Sequence, residues 1–408
     1  MIRTTNIRNG KINLDNCRFV DASTYQRWTR RAKLVDGDVV LTREAPIGEV
    51  GFVRDMPGIF LGQRMMQYRP NPKVIDPRFL YYSFCSPNLQ AQFKSHDGSG
   101  SVVSHIRVAD CHKFTVPVPP LDDQCRISSV LGSLDDKIDL NRRTNETLEA
   151  MARAVFKSWF VDFDPVHAKA AGKAPAHMDP ETVALFPDTF GEDGLPVGWR
   201  MEAIGEHFKA LKGLSYKGSG LSDAGAPLFN LNSILEGGGY KYEGIKFYAG
   251  EFKEKHEAGP GDLLVANTEQ GFEHLLIGFS ALVPPSQGKG IFSHHLYKIQ
   301  GRPKTHLNTT YLHFLMSVSP QGEVIRRYSN GTTVNMLPAD AFERPRITVP
   351  PAGLIAAFSK FAMPIAEKQD AAVTENQTLA ALRDLLLPKL MSGEIRLRDA
   401  ETIVEGVA

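Results

Sequence analysis

The sequence predicts an α+β protein, two pseudo-repeated mixed α/β domains separated by two long helices packed as an antiparallel coiled coil. Three observations predict it. The stretch Thr115-Val116-Pro117-Val118-Pro119-Pro120 recurs as Thr348-Val349-Pro350-Pro351, and beyond it a constant offset of 231 places Asn145 on Asn376, Thr147 on Thr378 and Leu148 on Leu379. Both matched segments carry apolar or small residues at alternating steps of four and three, the period of a helix–helix seam. A length of 408 residues also exceeds what one hydrophobic core usually serves, so at least two domains are expected.

The repeat extends upstream in unbroken order. Gly37-Asp38-Val39-Val40 resembles Gly261-Asp262-Leu263-Leu264, Ile59-Phe60 resembles Ile291-Phe292, and Phe79-Leu80-Tyr81-Tyr82 lines up with Tyr311-Leu312-His313-Phe314. Gly98 to Val102 falls against Asn330 to Val334, and Ala109-Asp110 against Ala339-Asp340. Each module reads as mixed because short β-rich runs (Val39 to Thr42, Val50 to Val53, Phe114 to Val116) are separated by Gly and Pro. A helix is expected over Pro77 to His96, with a broad apolar face from Phe79, Leu80, Tyr82, Phe84, Leu89 and Phe93.

The first seam runs Ile127, Leu131, Leu134, Ile138, Asn141, Asn145, Leu148, Ala152, Val155, Trp159. Its counterpart runs Phe358, Ala362, Ile365, Gln369, Ala372, Asn376, Leu379, Arg383, Leu386, Leu390. A free helix from Leu121 to Phe160, about 60 Å long at the standard rise, would expose a long greasy edge, and the simplest cover is the second copy. Asn145 and Asn376 are candidates to set the register, since a buried amide tolerates only a pairing that satisfies it; solvent-facing asparagines are the plain alternative.

The expected boundaries are 1–118 for the first module, 119–164 for the first long helix, 165–198 for a linker, 199–349 for the second module, 350–398 for the second long helix and 399–408 for a tail. Asp164-Pro165 ends the first helix, and Leu195-Pro196-Val197-Gly198-Trp199 opens the second module. No counterpart of Trp199 to Ala226 precedes Ile2. The first module is therefore expected to be short at its N-terminus, either because the start is misplaced or because that piece is supplied otherwise.

Composition is that of an ordinary globular chain, 42% hydrophobic and 23% charged, with no apolar run of the ~18 to 20 residues a bilayer requires and no signal sequence, which points to the cytoplasm. Cys17, Cys85, Cys111 and Cys125 form no CxxC pair and read as reduced, packed thiols. The net charge of +1 hides an uneven distribution: Met1 to Val118 carries 17 basic against 10 acidic residues, and Pro119 to Asp164 carries 6 against 9. A basic module before an acidic helix suits nucleic acid, though ordinary surface variation yields such blocks too.

The sequence holds no recognisable catalytic constellation. Gly288-Lys289 lacks the rest of a phosphate loop, there is no HExxH, and the adjacent His294-His295 cannot both reach one metal from one helix face. Asp76-Pro77-Arg78-Phe79 is only a partial look-alike of a nucleotide methyltransferase motif, and the charged stretch around Glu251, Lys253 and Lys255 reads as solvated surface. Gly98-Ser99-Gly100-Ser101 and Asn330-Gly331-Thr332-Thr333 either cradle phosphate through their amides or are tight turns.

From Pro119-Pro120-Leu121 through Trp159-Phe160-Val161-Asp162-Phe163-Asp164-Pro165, and again from Pro350-Pro351 to Leu387-Pro388-Lys389-Leu390-Met391-Ser392-Gly393-Glu394-Ile395, the sequence resembles the specificity subunits of type I restriction-modification enzymes. The resemblance spans nearly the whole chain, including the segment from Leu185-Phe186-Pro187 to Trp199. It implies two target-recognition domains, each reading one half of a split DNA sequence, held apart by spacer helices that also dock two methyltransferase subunits. Catalysis would lie elsewhere: S-adenosylmethionine with the adenine-methylating subunits, ATP and Mg with the restriction and translocase subunits, and no cofactor on this chain. Candidate DNA contacts lie in polar loops: Arg3, Thr5, Asn6, Arg8, Gln63, Arg64, Ser99 and Ser101 in the first module, and Asn230, Asn232, His294, His295 and Thr332 in the second. A surface residue that touches no base is the plain alternative for each. Two other readings stay open: a scaffold whose modules bind protein or glycan, and a self-contained modifying enzyme.

Overall fold

The computed structural model describes residues 1–96, 105–271, 273–331 and 334–406. The chain forms two compact units, Met1–Asn141 with Glu375–Ala408, and Arg142–Thr374. The boundary cuts through both long helices, so the spacer segments are parts of the two units and not domains of their own.

In the first unit, Val39–Arg43 is the central strand of an antiparallel sheet, flanked by Ile47–Phe52 and Met65–Tyr68. Its side chains alternate between two cores, as strand geometry requires. Val39 and Leu41 pack with Phe79, Tyr82, Phe84, Leu89 and Phe93 on one side, while Val40 packs with Ile2, Ile7, Val53 and Met65 on the other. The single helix expected over Pro77 to His96 is two helices, Pro77–Cys85 and Pro87–Lys94, joined at an extended Ser86 (φ −68°, ψ 153°). Pro87 is the cause, because it offers no N–H to continue the helix and disfavours helical geometry in the residue before it. The second unit repeats the device with Thr309–Val318, an extended Ser319 and Pro320–Arg326.

The second unit's corresponding sheet has the order Ser280–Leu282, Leu263–Ala266, Leu296–Gly301, Phe208–Lys212, and Leu263 opposes Ile299 as Val39 opposes Tyr68. Among the described residues of the first unit, no strand lies beyond Met65–Tyr68 where Phe208–Lys212 lies in the second.

The expected strand at Phe114 to Val116 is absent, whereas its repeat forms Arg346–Val349, paired antiparallel with Arg200–Ala203. Thr348 is 2% exposed and Thr115 lies on the surface. One flank of each is the same: the Thr115 N–H donates to Gln92 Oε1 and the Thr348 N–H to Gln321 Oε1, both at 3.0 Å. A lost hydrogen bond is costlier where the orphaned group is shut away from water. Gln321→Leu should therefore destabilise the second unit by about 1–3 kcal/mol, against roughly 0.5 kcal/mol or less for Gln92→Leu in the first. Equal shifts in denaturant midpoint would contradict that account.

The long helices are Leu121–Phe160 and Ala352–Ser392. In the first unit Ile127, Leu131, Leu134 and Ile138 pack with Leu379, Leu386 and Leu390. Polar contacts give the direction, since Asp135 meets Arg383 at 2.7 Å and Asn141 meets Asn376 at 3.0 Å, so one helix ascends as the other descends. The second unit holds the other ends, where Asn145 Nδ2 donates to the Gln369 carbonyl at 3.2 Å and Gln369 Nε2 to the Asn145 carbonyl at 3.0 Å. Asn145 and Asn376 thus both face the helix pair, each in its own unit. Near Phe160 the buried arc outgrows the heptad seam: Phe156 and Phe160 are buried while Val155 and Trp159 are only partly so. The helix there also packs on Tyr311, Phe314 and Phe358, and an arc facing several neighbours must be wider than a two-helix seam.

The second long helix stops at Ser392, not at 398, because Gly393 turns left-handed (φ +76°) and the Gly393 and Glu394 N–H groups cap the Leu390 and Lys389 carbonyls. The expected tail is helical over Leu397–Glu405, burying Ala400 and Val404 and pairing Glu401 with Arg126 at 2.9 Å. The linker is also structured, with helices Asp164–Ala170 and Pro180–Ala184 and with Val166 and Phe186 in the second unit's core. All four cysteines are free, but Cys125 is exposed and not packed, being on the outer face of its helix. Among the described residues no helix is long and apolar enough to cross a membrane.

Candidate nucleic-acid interface

Backbone hydrogen bonds build the same polar corner in both units. In the first, Gly62 N–H donates to the Ile2 carbonyl (2.8 Å), Arg43 N–H to the Arg64 carbonyl (2.8 Å) and Ile106 N–H to the Arg43 carbonyl (2.9 Å). In the second, Ser293 N–H donates to Phe229 (2.8 Å), Asn267 N–H to His295 (3.0 Å) and Leu337 N–H to Asn267 (2.8 Å). Gln63-Arg64 and His294-His295 are therefore one position occupied by different chemistry. The same bonds make Leu61, not Phe60, the counterpart of Phe292, a shift of one from the sequence match, because Leu61 bridges Ile2 as Phe292 pairs with Phe229.

The parallel strand ends that carry these pairs also bring up the turns Thr4–Asn6 and Leu231–Ser233. Asn6 is buried, its Oδ1 accepts from the Arg3 N–H and its Nδ2 donates to the Asn13 and Asp15 carbonyls, so its side chain holds the turn. Ser233 does the same for the Asn230 N–H in the second unit. Arg3 and Arg8 donate to nearby carbonyls, of Asn16 and of Thr4 and Ile7. Asn230 caps the Asn232 N–H, and Asn232 is tied to Glu243, Gly244 and Lys241. Thr5, Gln63, Arg64 and His294 face outward, with His295 half-buried. Ser99, Ser101 and Thr332 lie outside the described residues.

Each outward pair is held from behind by a residue that sequence reasoning missed. Arg64, with a left-handed backbone (φ +73°), is gripped through Nε by Glu44 at 3.1 Å, and Glu44 also lies 2.6 Å from His105 Nδ1. In the second unit the residue aligned with Glu44 is Thr268, whose hydroxyl is 2.8 Å from His295 Nδ1. Extending the Gly-Asp repeat four residues further pairs Arg43 with Asn267 and Glu44 with Thr268, the signal that would have found them.

The two corners differ electrostatically. Burial, and then the neighbouring His294, lowers the His295 pKa, so its imidazole is neutral near pH 7, with one nitrogen to donate and one to accept. Beside it, Asn267 Oδ1 and Ser293 Oγ are buried without a hydrogen-bond partner among the described residues. Buried polar atoms left unpaired are uncommon and tend to mark places where something else binds. The first corner instead presents a permanently charged guanidinium.

Type I restriction modification DNA specificity domains match residues 24–150. The specificity subunit of the type I restriction enzyme HindI from Haemophilus influenzae is 27% identical over 88% of this chain and 86% of its own length. That of MjaIX from Methanocaldococcus jannaschii is 24% identical over 89% and 78%. The crystal structure of the type I restriction-modification S subunit from M. genitalium covers 88% of this chain and 83% of its own, with a TM-score of 0.56 and 14% identity, a likeness of fold alone.

Proposed function

We propose that the chain, similar over most of its length to the specificity subunits of type I restriction enzymes, is the DNA-recognition subunit of such a system and that its two units read the two halves of one bipartite DNA sequence. The observation that carries this is the repeated corner: one backbone scaffold presents Gln63-Arg64 in one unit and His294-His295 in the other. A pair of sites built alike but equipped differently suits two different half-sequences, because base edges in the major groove are told apart by donor and acceptor pattern. The other outward residues supply phosphate contacts and the salt-sensitive part of the affinity.

The helix pair docks two modification subunits, and restriction subunits join them. In this division of labour S-adenosylmethionine stays with the subunits that methylate adenine, ATP and Mg with those that translocate and cleave, and this chain binds none of the three. The complex works on DNA in the cytoplasm. The test is to map methylated adenines in genomes from cells with and without this chain, and to measure binding by the chain together with its modification subunits across a salt series. One split motif, methylated only when the chain is present, is expected, with affinity falling steeply with salt. Methylation that persists unchanged without the chain would refute the proposal.

A further inference from the structure

The bipartite reading leaves open which side chains discriminate bases. Resting on that reading, we propose that Arg64 and His295 are the equivalent base-facing positions of the two units, and that Arg64 reads a guanine. Three observations converge on the pair. Both residues have their carbonyl bonded by a residue at the C-terminal end of the central strand, Arg43 in one case and Asn267 in the other, so each is presented from a rigid sheet and not from a free loop. A second side chain orients each: Glu44 on Arg64 Nε at 3.1 Å, and Thr268 on His295 Nδ1 at 2.8 Å. Each is flanked by an exposed polar neighbour, Gln63 or His294, at the same end of the strands.

The chemistry then separates the two. A guanidinium gripped at Nε has its remaining donors in a planar fork, and among base edges in the major groove only guanine sets two acceptors, N7 and O6, side by side to receive such a fork. The half-buried Glu44 carboxylate behind the arginine keeps the fork from swinging toward the phosphates, which a free arginine would prefer. The second unit cannot make that contact. Its neutral imidazole, fixed through Nδ1, has a single ring nitrogen to offer, and Asn267 Oδ1 and Ser293 Oγ add acceptor and hydroxyl capacity nearby. The position that is guanine-reading in one half is thus read by a neutral group in the other, and the two half-sequences differ there. Glu44 and Thr268 are positioning residues in this scheme, since they act through the side chains they hold.

The experiment uses the chain assembled with its modification subunits and duplex DNA randomised in both halves, selected by binding and read base by base for the wild type, Arg64→Ala, Arg64→Lys and His295→Ala. Arg64→Ala should erase a guanine preference of about ten- to hundredfold at one position of one half and leave the other half intact. Arg64→Lys should keep overall affinity and salt dependence yet lose most of the guanine preference, because an ammonium is a point charge without a fork; it also serves if the alanine variant folds poorly. His295→Ala should change only the other half. The assignment is overturned if Arg64→Ala weakens every sequence alike with all preferences kept, if one substitution alters both halves, or if no guanine preference responds. Absence of any sequence preference in the wild-type complex would instead sink the bipartite reading itself.

Discussion

Asp135→Ala should lower the stability of the first unit by about 3–5 kcal/mol, the usual cost of removing one member of a buried ion pair. Asp135 is 9% exposed, and its carboxylate accepts from Arg383 Nη1 and from the Tyr82 hydroxyl, both at 2.7 Å. It joins the two long helices and ties both to the helix Pro77–Cys85. Without it, the Tyr82 hydroxyl is buried unpaired and the half-buried Arg383 keeps, among the described residues, only exposed Asp384, at 2.7 Å. Burial, the larger of the two causes that hold the Tyr82 hydroxyl above its ordinary pKa, remains when the Asp135 charge is gone, so the hydroxyl does not ionise to compensate. Denaturant titration of the purified chain measures the loss. The double replacement Asp135→Leu with Arg383→Leu should recover much of it, since two apolar side chains leave no orphaned charge. A double variant as unstable as the single one would mean that packing, and not the charge pair, dominates there.

The second unit should weaken as pH falls from about 6.5 to 4, by roughly 3 kcal/mol, through one residue. His313 is buried, with Nδ1 2.9 Å from Ser280 Oγ; burial first, and then the nearby Arg153 charge, lowers its pKa to about 4 from 6.5. The unfolded chain binds a proton as pH drops below 6.5, while the folded chain does not until about pH 4. The contribution is therefore intact above 6.5, declines through that window and is exhausted below it. Urea midpoints between pH 7 and 4.5 should show the slope, and His313→Gln, which keeps a polar partner for Ser280 but cannot titrate, should flatten it. An undiminished slope in that variant would place its origin elsewhere.

Much of the fold was legible in the residues. The long helices were, because a seam at steps of four and three names the buried face of each turn: Ile127, Leu131, Leu134 and Ile138 are buried as that pattern requires. The break at Ser86 was missed although Pro87 announced it, the apolar run having outweighed the local rule. The candidate interface was legible as polar loops but not as a repeated position. The part Asn6 plays in holding its turn, and the pairing of Gln63-Arg64 with His294-His295, rest on hydrogen bonds to residues remote in sequence, the latter to Arg43 and Asn267, some twenty to thirty residues away.

The contrast between the two Thr-Val-Pro segments shows where that boundary falls. A helix satisfies its backbone within its own four-residue neighbourhood, so its presence, length and greasy edge can be written in one stretch of chain. A strand cannot, since its hydrogen bonds belong to a partner remote in sequence. Near-identical residues at Thr115 and Thr348 therefore end differently, one on an open surface and the other paired with Met201, because Arg200–Ala203 lies beside only the second. The duplication and its helices were inherent in the order of amino acids; which copy of a segment becomes sheet, and which side chains stand outward at the polar corners, depended on what folding brought next to them.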